Sequence, residues 1–335
     1  MSHVKLAFIA IRKDCEQAVY ATLLSLRETC PLLENMNISE HGPGWHLTLL
    51  LSVFSTITNV ELSCAIPGDT LICLSRMANL RALKGTLDPT DPFMSSTTVP
   101  LDFASLQHLH WTVCDLSEAA ALLHRLQPLG HTREFQSLTF ERNNCDIDSD
   151  VLKLFLNTLI STCSTQTLST LALKDGGVPD MMGGEDDCSA LGTASADLRP
   201  LFQFGCIEVL RLERLPVMLD DAFIAAAATT WPHLRVLHLW SRMPWGCAIT
   251  PARLLPFARK SRRLEKLEVE IGSWPDPIQP PPYGSADTGR RDVPLSVYIR
   301  HSVMENVVER TARLDFIRGI FPNADVACEC EELIW

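Results

Sequence analysis

The chain has 335 residues, 46% of them hydrophobic and 21% charged, enough apolar material for a large buried core and too much for wholesale disorder. A formal net charge of -11 opposes binding to nucleic acid, whose affinity for proteins comes largely from clustered Lys and Arg releasing phosphate counterions. No apolar run approaches the roughly 20 residues needed to cross a bilayer, and the longest, residues 47–54, is interrupted by Thr48 and Ser52.

At the amino terminus, MSHVKLAFIAIRKDC has too short an apolar core for a secretory signal, charges on the wrong side and no small-residue cleavage site after it, so a cytoplasmic or nuclear location is expected. Residues 4–9 read as a strand and 16–29 as a helix, an incomplete first repeat over residues 1–29. The twelve cysteines are scattered through apolar segments with no CxxC pair, which points to buried free thiols rather than a zinc site or a disulfide framework.

From there the pattern apolar-x-x-apolar-x-apolar returns along the chain. It reads Leu33/Met36/Ile38, Ile57/Val60/Leu62, Leu80/Leu83 with Gly85 at the third place, Leu106/Leu109/Trp111, Phe135/Leu138/Phe140, Leu168/Leu171/Leu173, Ile207/Leu210/Leu212, Leu234/Leu237/Leu239 and Leu264/Leu267/Val269. Successive first anchors stand 24, 23, 26, 29, 33, 39, 27 and 30 residues apart, mostly inside or near the spacing of repeats that carry one strand and one helix. Helical periodicity fills the intervals, as in Leu122, Leu123 and Leu126, or Leu152, Phe155, Leu156 and Leu159. Caps or first-turn residues open several helices: Asp148, Ser149 and Asp150; Asp220 and Asp221; Thr250 with Pro251. A proline recurs at one phase, in Cys30-Pro31, Trp231-Pro232 and Phe321-Pro322, where it ends a helix and lets the chain turn into the next strand. Residues 174–197, acidic and glycine-containing, read as a loop insertion, and so do the proline-rich residues 274–292.

These residues resemble the leucine-rich-repeat family, whose signature LxxLxLxxN/C is met in full by Phe135-x-x-Leu138-x-Phe140-x-x-Asn143 and by Leu106-x-x-Leu109-x-Trp111-x-x-Cys114. The other repeats lose the Asn/Cys position, and the array is irregular. In style it is similar to the repeat region of fungal F-box/leucine-rich-repeat proteins, through CPLLENMNI, WPHLRVLHL and FIRGIFPNAD. The resemblance implies an α/β solenoid spanning residues 1–335, a horseshoe with parallel strands on its concave face and helices on its convex face. It also implies a protein-binding role, as the substrate-recognition component of a cullin-type ubiquitin ligase. The LPxE-type opening of an F-box is not found and the chain begins inside the array, so a Skp-family linker and cullin are expected partners only where an F-box accompanies it. A free-standing interaction scaffold or inhibitor is the other reading.

If the anchors point to the core, alternation along each strand turns the intervening residues onto the concave face. The predicted protein-binding row comprises Asn35, Asn37, Asn59, Glu61, Lys84, His108, His110, Thr139, Thr170, Arg211, His238, Trp240, Lys266 and Glu268. Arg211, His238, Trp240 and Lys266 form the favoured centre, because Arg and Trp dominate interface energetics.

The chemical motifs are thin. His108 and His110 face the same way but lack further ligands for zinc, and Asp146-x-Asp148-x-Asp150 has Val151 where a calcium loop needs glycine. No nucleophile elbow, phosphate-cradling loop or HExxH is present, so neither an enzyme nor a cofactor or metal is expected. Pro280-Pro281-Pro282-Tyr283 fits the PPxY form that WW domains recognise, within a proline-rich linker.

Overall fold

The computed structural model describes residues 3–8, 21, 24–25, 27–40, 54, 56–87, 100–127, 131–142, 149–176, 193–215, 217–241, 247–272, 274–275, 278, 293–301 and 307–330. Their contacts gather into two compact units, Met1–Asn143 with Ser161–Ser164, and Asn144–Ile160 with Thr165–Trp335. Both are α/β, with every named strand pairing parallel to its neighbours.

In the first unit the strands are β1 (His3–Phe8), β2 (Asn35–Glu40), β3 (Asn59–Ile66), β4 (Ala82–Leu87), β5 (His108–Val113) and β6 (Ser137–Arg142), adjacent in space in chain order. In the second they are β7 (Thr170–Asp175), β8 (Thr193–Ala194), β9 (Val209–Leu215), β10 (Val217–Asp220), β11 (Val236–Ser241), β12 (Cys247–Ala248), β13 (Lys266–Glu270), β14 (Ser296–His301) and β15 (Asp325–Cys330). Here β7, β9, β11, β13, β14 and β15 form the main sheet, and the short β8, β10 and β12 form a second parallel sheet in the order β12-β10-β8. The strand expected over residues 4–9 is β1, and the described positions within 16–29 (21, 24, 25 and 27–29) are helical.

The register explains why the sequence period was visible. Met36 stands opposite Val60, Leu83 opposite Leu109 and Leu109 opposite Leu138, so one repeat's central anchor meets the next repeat's. The second unit continues the rule with Leu171 opposite Leu210, Leu210 opposite Leu237, and Leu237 opposite Leu267. Several strands are entered by the same turn. Leu33 N–H donates to the Cys30 carbonyl at 3.2 Å, Leu80 to Met77 at 3.2 Å, Ile207 to Phe204 at 3.4 Å, Leu234 to Trp231 at 3.2 Å, and Ala324 to Phe321 at 3.1 Å. Pro31, Pro232 and Pro322 occupy the second place of that four-residue turn, where a fixed φ near -65° is already correct. The next two N–H groups share one carbonyl of the preceding repeat: Arg81 and Ala82 on Thr58 at 2.7 and 3.0 Å, Arg235 and Val236 on Glu208 at 2.7 and 3.0 Å.

Every apolar anchor read from the sequence is buried, the least so being Leu106 at 4% exposure. The helices add their own apolar faces: Leu71 and Leu74 from helix Gly68–Ser75, Leu122, Leu123 and Leu126 from Leu116–Leu126, Leu152, Phe155, Leu156 and Leu159 from Ser149–Thr162, Phe223 and Ile224 from Asp221–Thr230. Burial of a side chain of this size contributes about 1.5–3 kcal/mol, so stability rests on this shared layer rather than on any single strand. At Gly85 the missing third anchor has a physical reason. Gly85 stands opposite Trp111, and a Cβ there would press into Ile66 and come within 3.6 Å of the Trp111 ring. Ile66, 0% exposed, takes the first of the room that a leucine would need, with the buried Trp111 ring beside it.

Two predicted caps take defined roles. Asp220 accepts the Phe223 N–H at 2.8 Å, and Asp221 instead reaches forward to Thr250, accepting its N–H at 2.8 Å and its hydroxyl at 2.9 Å. Asp115, which was not singled out, caps Leu116–Leu126 through the Ser117 and Glu118 N–H groups at 2.8 and 2.9 Å. Trp231, buried beside Phe202 and Phe223, donates its indole N–H to the Phe204 carbonyl at 3.0 Å. Of the insertion expected over residues 174–197, Lys174 and Asp175 lie in β7, while 193–194 form β8 and a 3-10 helix starts at Ser195. Residues 177–192, Asp146 and Asp148 lie outside the described residues. Among the described residues no helix is long and apolar enough to cross a membrane.

Candidate functional site

Because side chains alternate along a strand, burying the anchors against the helices leaves the other face of each main sheet open. In the first unit this face carries two rows in register: Asn35, Asn59, Ala82, His108 and Ser137, then Asn37, Glu61, Lys84, His110 and Thr139. Together they line a shallow cavity of about 550 Å³. All the predicted site residues of this unit therefore meet in one place. Their side chains also bond to one another along the rows. Asn59 Nδ2 donates to Asn35 Oδ1 at 2.5 Å, Asn37 Nδ2 to Glu61 Oε2 at 2.8 Å, and Lys84 Nζ to Glu61 Oε1 at 2.7 Å. The hydrogen bond from Lys84, helped by the charges of Lys84 and His110, holds the Glu61 carboxyl below its ordinary range against the opposing effect of burial. His110 Nε2 lies 3.3 Å from Glu141 Oε1.

The open face of the second unit repeats the rows with heavier side chains: Thr170, Val209, Val236 and Lys266; Ala172, Arg211, His238, Glu268 and Tyr298; Lys174, Glu213 and Trp240, with the buried Glu270 paired to Arg300 beyond them. His238, predicted to be open, is buried at 4% exposure. Two carboxylates flank one side of its ring: Nδ1 is 3.2 Å from Glu213 Oε1 and 3.8 Å from Glu268 Oε2, while the buried Nε2 has no hydrogen-bond partner among the described residues. Cations close the set, with Arg211 at 3.5 Å from Glu213, Lys266 at 3.4 Å from Glu268, and Arg300 Nε at 2.7 Å from Glu268. The His238 hydrogen bond lowers the Glu213 carboxyl below its ordinary range. Burial pushes Glu268 up, but the Arg300 hydrogen bond and the charges of His238, Arg300 and Lys266 outweigh it, and that carboxyl too is lowered.

Trp240 sits at the rim of this network. Guanidinium carbons of Arg300 and Arg214 lie 4.0 and 5.3 Å from its ring centre, the first reaching from β14, two strands away, the second from the adjacent β9. Lys266 Nζ similarly lies 5.2 Å from the Tyr298 ring. Arg214 reaches the indole by an irregularity. Trp240 pairs with Glu213 and Ser241 with Leu215, so Arg214 is bulged out of the ladder, with φ at 62°. That left-handed backbone costs a non-glycine residue about 1–2 kcal/mol.

Arg211, His238, Trp240, Lys266 and Glu268 share one face of the sheet with Glu213, Tyr298 and Arg300, and with the bulged Arg214, none of which was among the predicted residues. Glu213 shares the alternation of Arg211 and was readable. Arg214 was not, since nothing in a single sequence marks a bulge. Pro280, Pro281 and Tyr283 of the PPxY match lie outside the described residues. Among the described residues no group of three or more His, Cys, Asp or Glu is placed to hold a metal ion. The face offers fixed hydrogen-bond donors and acceptors, paired charges and two accessible aromatic rings, a chemistry suited to recognition. The sequence matches no protein-family model and no curated protein.

Proposed function

We propose that the chain is a protein-binding scaffold of leucine-rich-repeat type, which presents the open faces of its parallel sheets to a partner. The observation that carries the reading is Trp240, with the Arg300 and Arg214 guanidinium groups 4.0 and 5.3 Å from its ring centre, on the face that also holds the His238–Glu213–Glu268 cluster. Rigid aromatics flanked by arginine on a supported surface are the usual dominant residues of protein interfaces. The repeat reading is further supported by the one-strand-per-period register and by the recurring turn with proline at its second place. Resemblance to F-box repeat regions makes a ubiquitin-ligase substrate, held by this face, the favoured partner.

The test is affinity purification of the tagged chain beside its Trp240→Ala variant, followed by titration of the partner recovered. The variant is expected to bind about thirtyfold more weakly, the ~2 kcal/mol of a dominant interface residue. Recovery of a Skp-family linker and cullin with the partner supports the ligase role, and a stable complex without them supports the free-standing scaffold. Equal affinity of wild type and variant for the partner would refute the face as the binding surface.

A further inference from the structure

The proposal of a recognition face leaves open what part of a partner it would take, and Arg214 narrows that. The carboxylates Glu213 and Glu268 already have partners: Arg211 and the His238 ring on the first, Lys266 and Arg300 on the second. Arg214 stands apart. It is partly exposed, its guanidinium lies over the Trp240 ring, and among the described residues no carboxylate pairs with it. Its backbone is held in the left-handed region that glycine occupies without strain, yet the position carries a large cationic side chain. A planar guanidinium stacked on an indole keeps its edge free for a two-point hydrogen bond, the geometry that matches a carboxylate.

We infer that Arg214, stacked on Trp240 at the bulge of β9, is the receptor for an aspartate or glutamate side chain of the bound protein. The inference rests on the recognition reading and adds the chemistry of the occupant. Charge complementarity selects it: Arg214 is a cation with no carboxylate partner among the described residues, while the chain as a whole carries -11 and repels a dense polyanion, so isolated carboxylates fit better than nucleic acid. Stacking also removes part of the conformational freedom that an arginine otherwise loses on binding.

The experiment uses the full chain at low ionic strength and three labelled twelve-residue probes, (Gly-Ser-Glu)4, (Gly-Ser-Gln)4 and (Gly-Ser-Lys)4, with fluorescence anisotropy as the readout. The glutamate probe is expected to bind at least tenfold more tightly than the other two, and less tightly as salt is raised. Arg214→Gly is expected to melt no lower than wild type, because it relieves the backbone, and to bind the glutamate probe at least fivefold more weakly. Arg214→Lys restores part of that loss, and Arg262→Gln, on a turn away from the face, changes nothing. Equal binding of the glutamate and glutamine probes, or unchanged binding by Arg214→Gly, overturns the inference. If the recovered partner loses affinity with Trp240→Ala but not with Arg214→Gly, the recognition face stands and the Arg214 assignment falls. If Arg214→Gly loses the glutamate probe while Trp240→Ala leaves the partner's affinity unchanged, the assignment stands and the recognition reading falls.

Discussion

The open faces of the two units are built on the same register but hold their charges differently. In the first, Glu61 and Lys84 meet with 40% and 50% of their side chains exposed. In the second, Glu268 and Arg300 meet at 12% and 22%, beside a histidine at 6%. An exposed pair competes with water and contributes little, whereas a half-buried pair becomes expensive once either partner is removed. The first face is thus a rack of adjustable polar side chains, and the second a fixed network on which Trp240 is mounted.

The sharpest way to break this contrast is Glu268→Ala, which leaves Arg300, Lys266 and His238 without their shared acid. We expect a loss of about 3 kcal/mol in urea denaturation, and a loss below 1 kcal/mol would show the two faces to be alike. Next is Gly85→Leu, under the first face, expected to cost about 2 kcal/mol by overpacking against Ile66 and Trp111. Part of that cost should be recovered in the double variant with Ile66→Ala, the side chain that a Cβ at Gly85 meets first. The result would locate the first unit's stability in its core rather than in its polar rows.

Acid titration sharpens the comparison further. The folded-state carboxyls of Glu213 and Glu268 lie below their ordinary value of 4.5, so the stability they supply is present above that pH and is lost as pH falls through the folded values. The urea midpoint should be level from about pH 7 to 5.5 and then drop as the acid limit is approached. A Glu213→Gln/Glu268→Gln double variant should flatten the drop, and Glu61→Gln should flatten it less. The smallest effect belongs to Glu61→Ala, about 0.5 kcal/mol or less by thermal denaturation, because solvent screens its pair with Lys84. A larger loss would show the first face to be as rigid as the second.

Where the chain was legible follows from what each element needed. Strands β2 to β7, β9, β11 and β13 must bury alternate residues behind a buried first anchor, and the pattern had to appear in the sequence. Strand β14 escaped notice because Pro294 stands where that first anchor would be, directly after a proline-rich stretch. The two-residue strands β8 and β12 are too short to carry any period. For the site, alternation predicted which residues share a face, but not which would pair. His238 was read as exposed because burial of a polar side chain depends on Glu213 and Glu268, which reach it from the flanking strands. Arg214 breaks the alternation itself, and its stacking on Trp240 depends on a backbone angle that no residue type announces.

The pairing of Gly85 with Trp111 ties two neighbouring rungs together by size, the smallest side chain beside the largest. A leucine at the first rung finds its room taken, and a leucine at the second leaves a void. Inheritance at either position must therefore wait for a matching change at the other, and the array's departure from a regular leucine spine at this point is self-preserving.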